Sequence, residues 1–215
     1  YVRGDHDQAE QMYQRALAAN PTHADNLGNY AIFLTDVRGD HDQAEQMYQR
    51  ALAANPTHAN NLGSYAIFLT DVRGDHDQAE QMYQRALAAN PTHANNLGNY
   101  ARHLFIQSHE GKAEDYAVKA LRIATSPLEL PLQAECNFYL FAHSAKHRDS
   151  SGGELKLLLS RGVTTGNWSF AGNIARVGAE NPARAALLTA VASALAGAVD
   201  SDLDRFPEWQ ALPSA

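Results

Sequence analysis

Cysteine is almost absent from this chain of 215 residues: Cys136 stands alone. One thiol excludes an intramolecular disulfide framework and a cysteine-based zinc site. It fits a reducing compartment, and on that footing a cytoplasmic location is expected. Positive charge is scarce too, with 17 Lys+Arg against 24 Asp+Glu and a formal net charge of -7. That balance argues against a general binder of nucleic acid or of an anionic membrane. Long apolar runs are missing. The longest, Ala185 to Val199, is Ala-rich and stops short of the roughly 20 residues that a membrane-spanning helix needs. No basic segment with a small-residue cleavage site opens the chain. It does not begin with Met, which fits a fragment or a processed product. Apolar residues still make up 45%, enough for a core.

What is present is repetition. The segment RGDHDQAEQMYQRALAANPTHA starts at Arg3, starts again at Arg38, and ends its third copy at Ala94, a period of 35 residues. Between 2–36 and 37–71 the only differences are Asp25 against Asn60 and Asn29 against Ser64. A period of this size means a solenoid or array. In one unit, Ala79, Met82, Tyr83, Ala86 and Leu87 fall at i, i+3, i+4, i+7 and i+8, a single helical stripe. Asp75 is placed to cap that helix, and Asn90-Pro91 ends it, because the residue before proline avoids helical angles. Ala59, Leu62, Tyr65, Ala66 and Leu69 form a second stripe over His58 to Thr70, which Thr57 can cap. The stretch Asp71-Val72-Arg73-Gly74 is expected to loop back. Each unit therefore reads as two antiparallel helices.

With Leu62-x2-Tyr65-Ala66-x2-Leu69, then Ala79-x3-Tyr83, then Pro91, the unit resembles the tetratricopeptide repeat (TPR) family. Ala66, Ala79 and Ala86 occupy its small positions. Using the literal Leu62-Gly63 as the family's L-G pair would leave four extra residues before Ala79. The register adopted here leaves one, assigned to the loop within the pair. The resemblance covers residues 5 to about 124. It implies an all-α fold, a right-handed α-solenoid of antiparallel helix pairs forming a TPR-like superhelix, with divergent helical pairs at its C-terminal end. The expected organisation is TPR-like repeats over 1–124 (a half repeat at 1–20, then units from about 22, 57 and 92). A divergent capping region at 125–199 and an acidic tail at 200–215 follow. Within that region, helices are expected at 132–147, 154–161, 168–179 and 182–199. His147 to Gly153 is polar and glycine-rich and is expected to be a loop.

The resemblance also implies a concave groove lined by the first helix of each pair. The groove positions are Asp25, Asn29, Ile32 and Asp36; then Asn60, Ser64, Ile67 and Asp71; then Asn95, Asn99, Arg102 and Phe105. The asparagines offer donors and acceptors to an extended peptide, the isoleucines shallow apolar pockets, and the aspartates a preference for a basic ligand. Chaperone-binding relatives clamp a C-terminal carboxylate with paired lysines that are absent here, which argues against that ligand. The implied function is a non-catalytic protein-protein interaction scaffold for a peptide or partner helix. The alternative is a self-assembly module. The chain starts on the second helix of a pair, so the face carrying Met12 and Tyr13 lacks a cover. Either more repeats precede it or another chain covers it, end to end, through residues 5–19.

Other motifs carry less. Gly28, Gly63 and Gly98 sit inside a helix, where glycine costs about 1 kcal/mol relative to alanine. Duplication explains their recurrence; close approach of a ligand or a helix backbone is the alternative. Arg38-Gly39-Asp40 and Arg73-Gly74-Asp75 read as turns opening the next helix, not as adhesion motifs. Asp40-His41-Asp42 and Asp75-His76-Asp77 do not converge on one ion. His143 and His147 share a helix face but lack a third ligand. No nucleophile elbow, phosphate loop or dinucleotide fingerprint occurs. No enzyme activity, metal or cofactor is expected; a catalytic site hidden in 126–199 is the remote alternative.

Overall fold

The computed structural model describes residues 2–166, 168–198 and 201–213. Tyr1, Val199, Asp200 and Ala215, which bound the expected half repeat, last long helix and tail, lie outside them. The described residues are helical, with no strand among them. The chain forms two compact units, Tyr1–Asn96 and Leu97–Ala215.

The first unit holds α1 (Val2–Ala19), α2 (Ala24–Phe33), α3 (His41–Ala54), α4 (Ala59–Phe68) and α5 (His76–Ala89). α2 packs on α3, and α4 on α5, as hairpins, and α3 also meets α4. Each second helix starts as expected, with Asp40 accepting from Gln43 N and Asp75 from Gln78 N, both at 3.0 Å. The first helices are capped differently from expectation. His58, not Thr57, accepts from the Asn61 amide through Nδ1, at 3.3 Å. Thr57 is held by Asn55 instead, its amide donating to Asn55 Oδ1 at 3.3 Å, so it stabilises the Asn-Pro turn before the helix.

The 35th residue is also placed differently. The expected loop Asp71 to Gly74 is mostly helical: Leu69–Arg73, like Leu34–Arg38, forms a π-helical turn. A π turn absorbs one extra residue without breaking the helix. Thr35 Oγ1 donates to Ala31 O at 2.9 Å, and Thr70 Oγ1 to Ala66 O at 2.9 Å, tying a widened turn to the regular helix. Gly39 and Gly74 then stop it at φ +66°, the left-handed region where a side chain would be strained.

The core repeats with the sequence. Ala44, Ala51, Ala79 and Ala86 are fully buried, as are Leu62 and Ala66. Tyr48 stacks on Tyr65 with ring centroids 5.3 Å apart, and Tyr13 repeats the contact on Tyr30 at 5.4 Å. Arg38 reaches back to Asp7 and Glu10, and Arg73 to Asp42 and Glu45, so the Arg-Gly-Asp arginines bind each unit to the helix before it.

The glycines inside the first helices have a packing reason. Asn61 lies across Gly28 and donates from Nδ2 to Ala24 O at 2.9 Å; Asn96 lies across Gly63 and donates to Ala59 O at 3.0 Å. A Cβ at either glycine would overlap the asparagine Oδ1. Duplication carries the pattern forward, but close approach of the next first helix is what requires it.

In the second unit, α6 (Ala94–Ile106) continues past residue 97 and meets α7 (Glu110–Ile123), with Tyr100 and Tyr116 rings 4.8 Å apart. α8 (Leu130–His143) packs on α7 and α9, and α10 (Ala171–Glu180) pairs with α11 (Pro182–Leu195). The expected loop over His147 to Gly153 is instead the start of α9 (Arg148–Ser160). Its glycines are helical because the tail lies against them. Leu212 methyls stand 2.6 Å from where a Gly152 Cβ would be, and Pro213 lies 3.3 Å from a Gly153 Cβ. The tail accordingly ends in a short docked helix, α12 (Pro207–Ala211), with Trp209 and Leu212 buried.

Gly63→Ala is expected to destabilise the protein by about 1–3 kcal/mol, since it displaces Asn96 and leaves buried polar groups unpaired. Gly111→Ala, with open space around it and an ordinary helical backbone, should be neutral or stabilise by up to about 1 kcal/mol. Urea unfolding of both variants checks the contrast.

Candidate functional site

The exposed face of the first helices is built by the residues that the buried stripe leaves over. On α2, burial of Leu27, Tyr30, Ala31 and Phe33 turns Asp25, Asn29 and Ile32 outward. Asp36, on the π turn, is exposed as well. On α4, Asn60 is exposed while Ser64 and Ile67 are half-buried, and Asp71 is exposed on the following π turn. Asn95 is exposed at the start of α6.

Histidines bind these faces together. His58 uses Nδ1 to cap α4 and points Nε2 at Asp25 Oδ1, 2.9 Å away. His93 repeats the arrangement, with Nδ1 accepting from the Asn96 amide at 3.4 Å and Nε2 2.6 Å from Asn60 Oδ1. One tautomer, protonated on Nε2, serves both contacts. The exchange of Asp25 for Asn60 keeps the oxygen that this N–H needs. Sequence reasoning missed His58 and His93. The available signal was a His four residues before Leu62 and Leu97, at a position where Ser, Thr, Asp or Asn is usual.

The remaining positions lie in the second unit and are buried. Asn99 is 9% exposed and Arg102 5%. The Arg102 guanidinium sits 5.0 Å over the Trp168 ring, a cation–π contact. Phe105 is fully buried, stacked on His143 with centroids 5.0 Å apart. Near Arg102, burial raises the Glu135 carboxyl to about 8 against the opposing pull of the Arg102 charge. Burial also raises the Cys136 thiol and keeps it inert.

On α1, Met12 is 65% exposed while Met47 and Met82, its repeats, are each 8% exposed. Tyr13 is half-buried against Tyr30 and Phe33. Among the described residues no group of three His, Cys, Asp or Glu could hold a metal. His143 is engaged through Nε2 with Asn173 Oδ1 at 2.7 Å, and burial lowers its pKa to about 4. Among the described residues no helix is long and apolar enough to cross a membrane.

Tetratricopeptide repeat family models match residues 3–60 and 72–126. The chain belongs to the TPR family, whose members are generally non-catalytic scaffolds that bind protein or peptide partners. Its all-helical fold is that of TPR solenoid proteins. The type IV pilus biogenesis factor PilW is similar at 19% identity, covering 98% of this chain and 92% of that one, with a TM-score of 0.63. PilF of Pseudomonas aeruginosa is 21% identical, covering 97% and 89%, with a TM-score of 0.58. YrrB, described as a TPR protein with an unusual peptide-binding site, is 18% identical, covering 92% and 90%, with a TM-score of 0.51. At these identities the likeness is one of fold. No curated protein matches the chain by sequence.

The raised Glu135 carboxyl sets a pH dependence. Between its ordinary value of 4.5 and about 8, the folded state holds a proton that the unfolded state has lost. Its contribution to stability is therefore present at low pH and lost as pH rises through 8. Glu135→Gln should gain on the wild type by about 1–2 kcal/mol between pH 5 and pH 8.5. Denaturant titrations at the two pH values check this.

Proposed function

We propose that the chain is a non-catalytic scaffold that holds an extended peptide or a partner helix along the exposed face of its first helices, the concave groove of a TPR array. In this reading the repeats up to residue 124 supply the binding face, 125–199 caps them, and the setting is cytoplasmic, in keeping with the lone thiol. The observation that carries it is Ile32, 38% exposed on α2 between Asn29 and Asp36. An apolar side chain flanked by an amide and a carboxylate suits a peptide that brings an apolar residue, a backbone to pair and a basic group. One unit later Ile67, half-buried, and Asp71 stand at the same positions, with Ser64 in place of the amide. The peptide-binding site of the fold relative YrrB is consistent with this use of the architecture.

A proteome pull-down tests it, with Asn29→Ala, Ile32→Lys, Ser64→Ala and Ile67→Lys combined. Specific partners should be recovered at least about tenfold less well, since like-charge and desolvation penalties add at one surface. Undiminished recovery of every partner would remove the groove from consideration.

A second reading rests on Met12. The same methionine is buried in α3 and α5 and exposed in α1, so the α1 face is supported as a self-association surface through residues 5–19. Light scattering should show a mass that climbs above 23.4 kDa with concentration. Met12→Lys should hold it at the monomer value. A wild-type mass independent of concentration ends this reading.

A further inference from the structure

In the second unit, α8, α9, α10 and α11 and the start of α7 line a cavity of about 270 Å³ that opens to solvent. Glu110, His143, Arg148, Arg176, Glu180 and Arg184 line it. A water's share of liquid is about 30 Å³, so the space holds a small polyatomic ion with part of its hydration shell.

The three guanidinium groups are not equivalent. Arg176 is fully engaged: Nε donates to Ser108 Oγ at 3.0 Å, Nη1 to Phe105 O at 2.8 Å and to His143 Nδ1 at 3.1 Å, and Nη2 pairs with Glu110. The His143 contact fits the neutral ring, whose Nε2–H donates to Asn173. Arg184 is 8% exposed, stacks 4.9 Å over the Phe141 ring, donates to Phe141 O and pairs with Glu208 of α12, yet its Nε is buried without a partner. Arg148 has a buried Nε without a partner, and no carboxylate pairs with it among the described residues. Its charge also acts on Arg184, where burial and Arg148 together lower the guanidinium to about 10.

Two arginines facing one cavity, one with no counter-charge among the described residues and both with an unanswered N–H, form a place where an anion lowers the energy. We propose that this cavity is an oxyanion site, in which Arg148 and Arg184 take a carboxylate or phosphate group. Planar guanidinium forks match both groups. Arg184 already shows the chemistry by holding Glu208. Glu110 does not oppose the ligand, because Arg176 neutralises it. Glu180, exposed at the rim, does oppose it and sets the direction of a second variant. The site does not depend on the groove reading, and its test uses no protein partner.

Thermal unfolding of the whole chain at pH 7 is followed with sodium phosphate, with succinate, and with chloride at matched ionic strength. Phosphate, succinate or both should raise Tm by about 3 °C over chloride when well above their Kd. Whichever acts identifies the source of the group. Arg148→Gln should abolish the rise, and Glu180→Gln should enlarge it. If the arginine variant fails to fold, the glutamate variant still decides. An equal Tm in all three salts, or an unchanged response to phosphate and succinate in Glu180→Gln, overturns the proposal. So does an Arg148→Gln protein that responds as the wild type does.

Discussion

A helical hairpin of this composition has two apolar sides and can cover only one by itself. Met12, Met47 and Met82 measure the consequence, because they are one residue in one helix repeated three times. Met47 and Met82 are 8% exposed and Met12 is 65% exposed. The local sequence is the same, so the difference lies in the neighbour. Arg50 donates to Met47 Sδ and to Pro21 O of the preceding turn, and Arg85 does the same to Met82 and Pro56. Helical propensity is identical in the three copies. Burial is a property of the stack, as expected where stability is a sum over repeats and their interfaces.

Stacking alone would permit sliding, and polar contacts set the register. Asn61 over Gly28 and Asn96 over Gly63 fix one first helix against the next at a single spacing, since a buried amide with its hydrogen bond made has one comfortable position. His58 and His93 add a second tie at the exposed end. Asp25 and Asn60 therefore do two things at once. They stand exposed on α2 and α4, and they hold the neighbouring repeat through its capping histidine.

Much of the fold was legible because periodicity reports burial directly. Tyr48 and Tyr83, with the alanines around them, are buried where the stripe puts them. Two kinds of feature were not legible. Asp71 to Gly74 reads as a loop because an extra residue normally breaks a helix, and nothing in a propensity distinguishes the π turn found over Leu69–Arg73 from a break. Ser150 to Gly153 reads as a loop because glycine weakens a helix in isolation. The compensation comes from Leu212, about 60 residues away, and a local pattern cannot contain it. At the candidate site, the resemblance to the TPR family implied Asn29 and Ile32 as groove positions, and both are exposed. It did not reveal the burial of Arg102 and Phe105, which depends on Trp168 and His143 further along the chain.

The second unit covers an apolar face by another route. α9 carries Gly152 and Gly153, and Leu212 and Pro213, just after α12, fill the space they leave. Trp209 meets Phe141 at 6.0 Å, Lys156 lies 5.8 Å over the Trp209 ring, and its Nζ donates to Leu212 O at 2.9 Å. Lys156 thus answers carbonyls at the C-terminal end of α12, where a helix of five residues has no turn to spare for them. Two apolar side chains and one ammonium cover this part of α9 with a handful of residues. The spacing of Phe206, Trp209 and Leu212 is what makes that economy work. Trp209 and Leu212 fall on the side that meets α8 and α9, and Arg184 closes the start of α12 by pairing with Glu208.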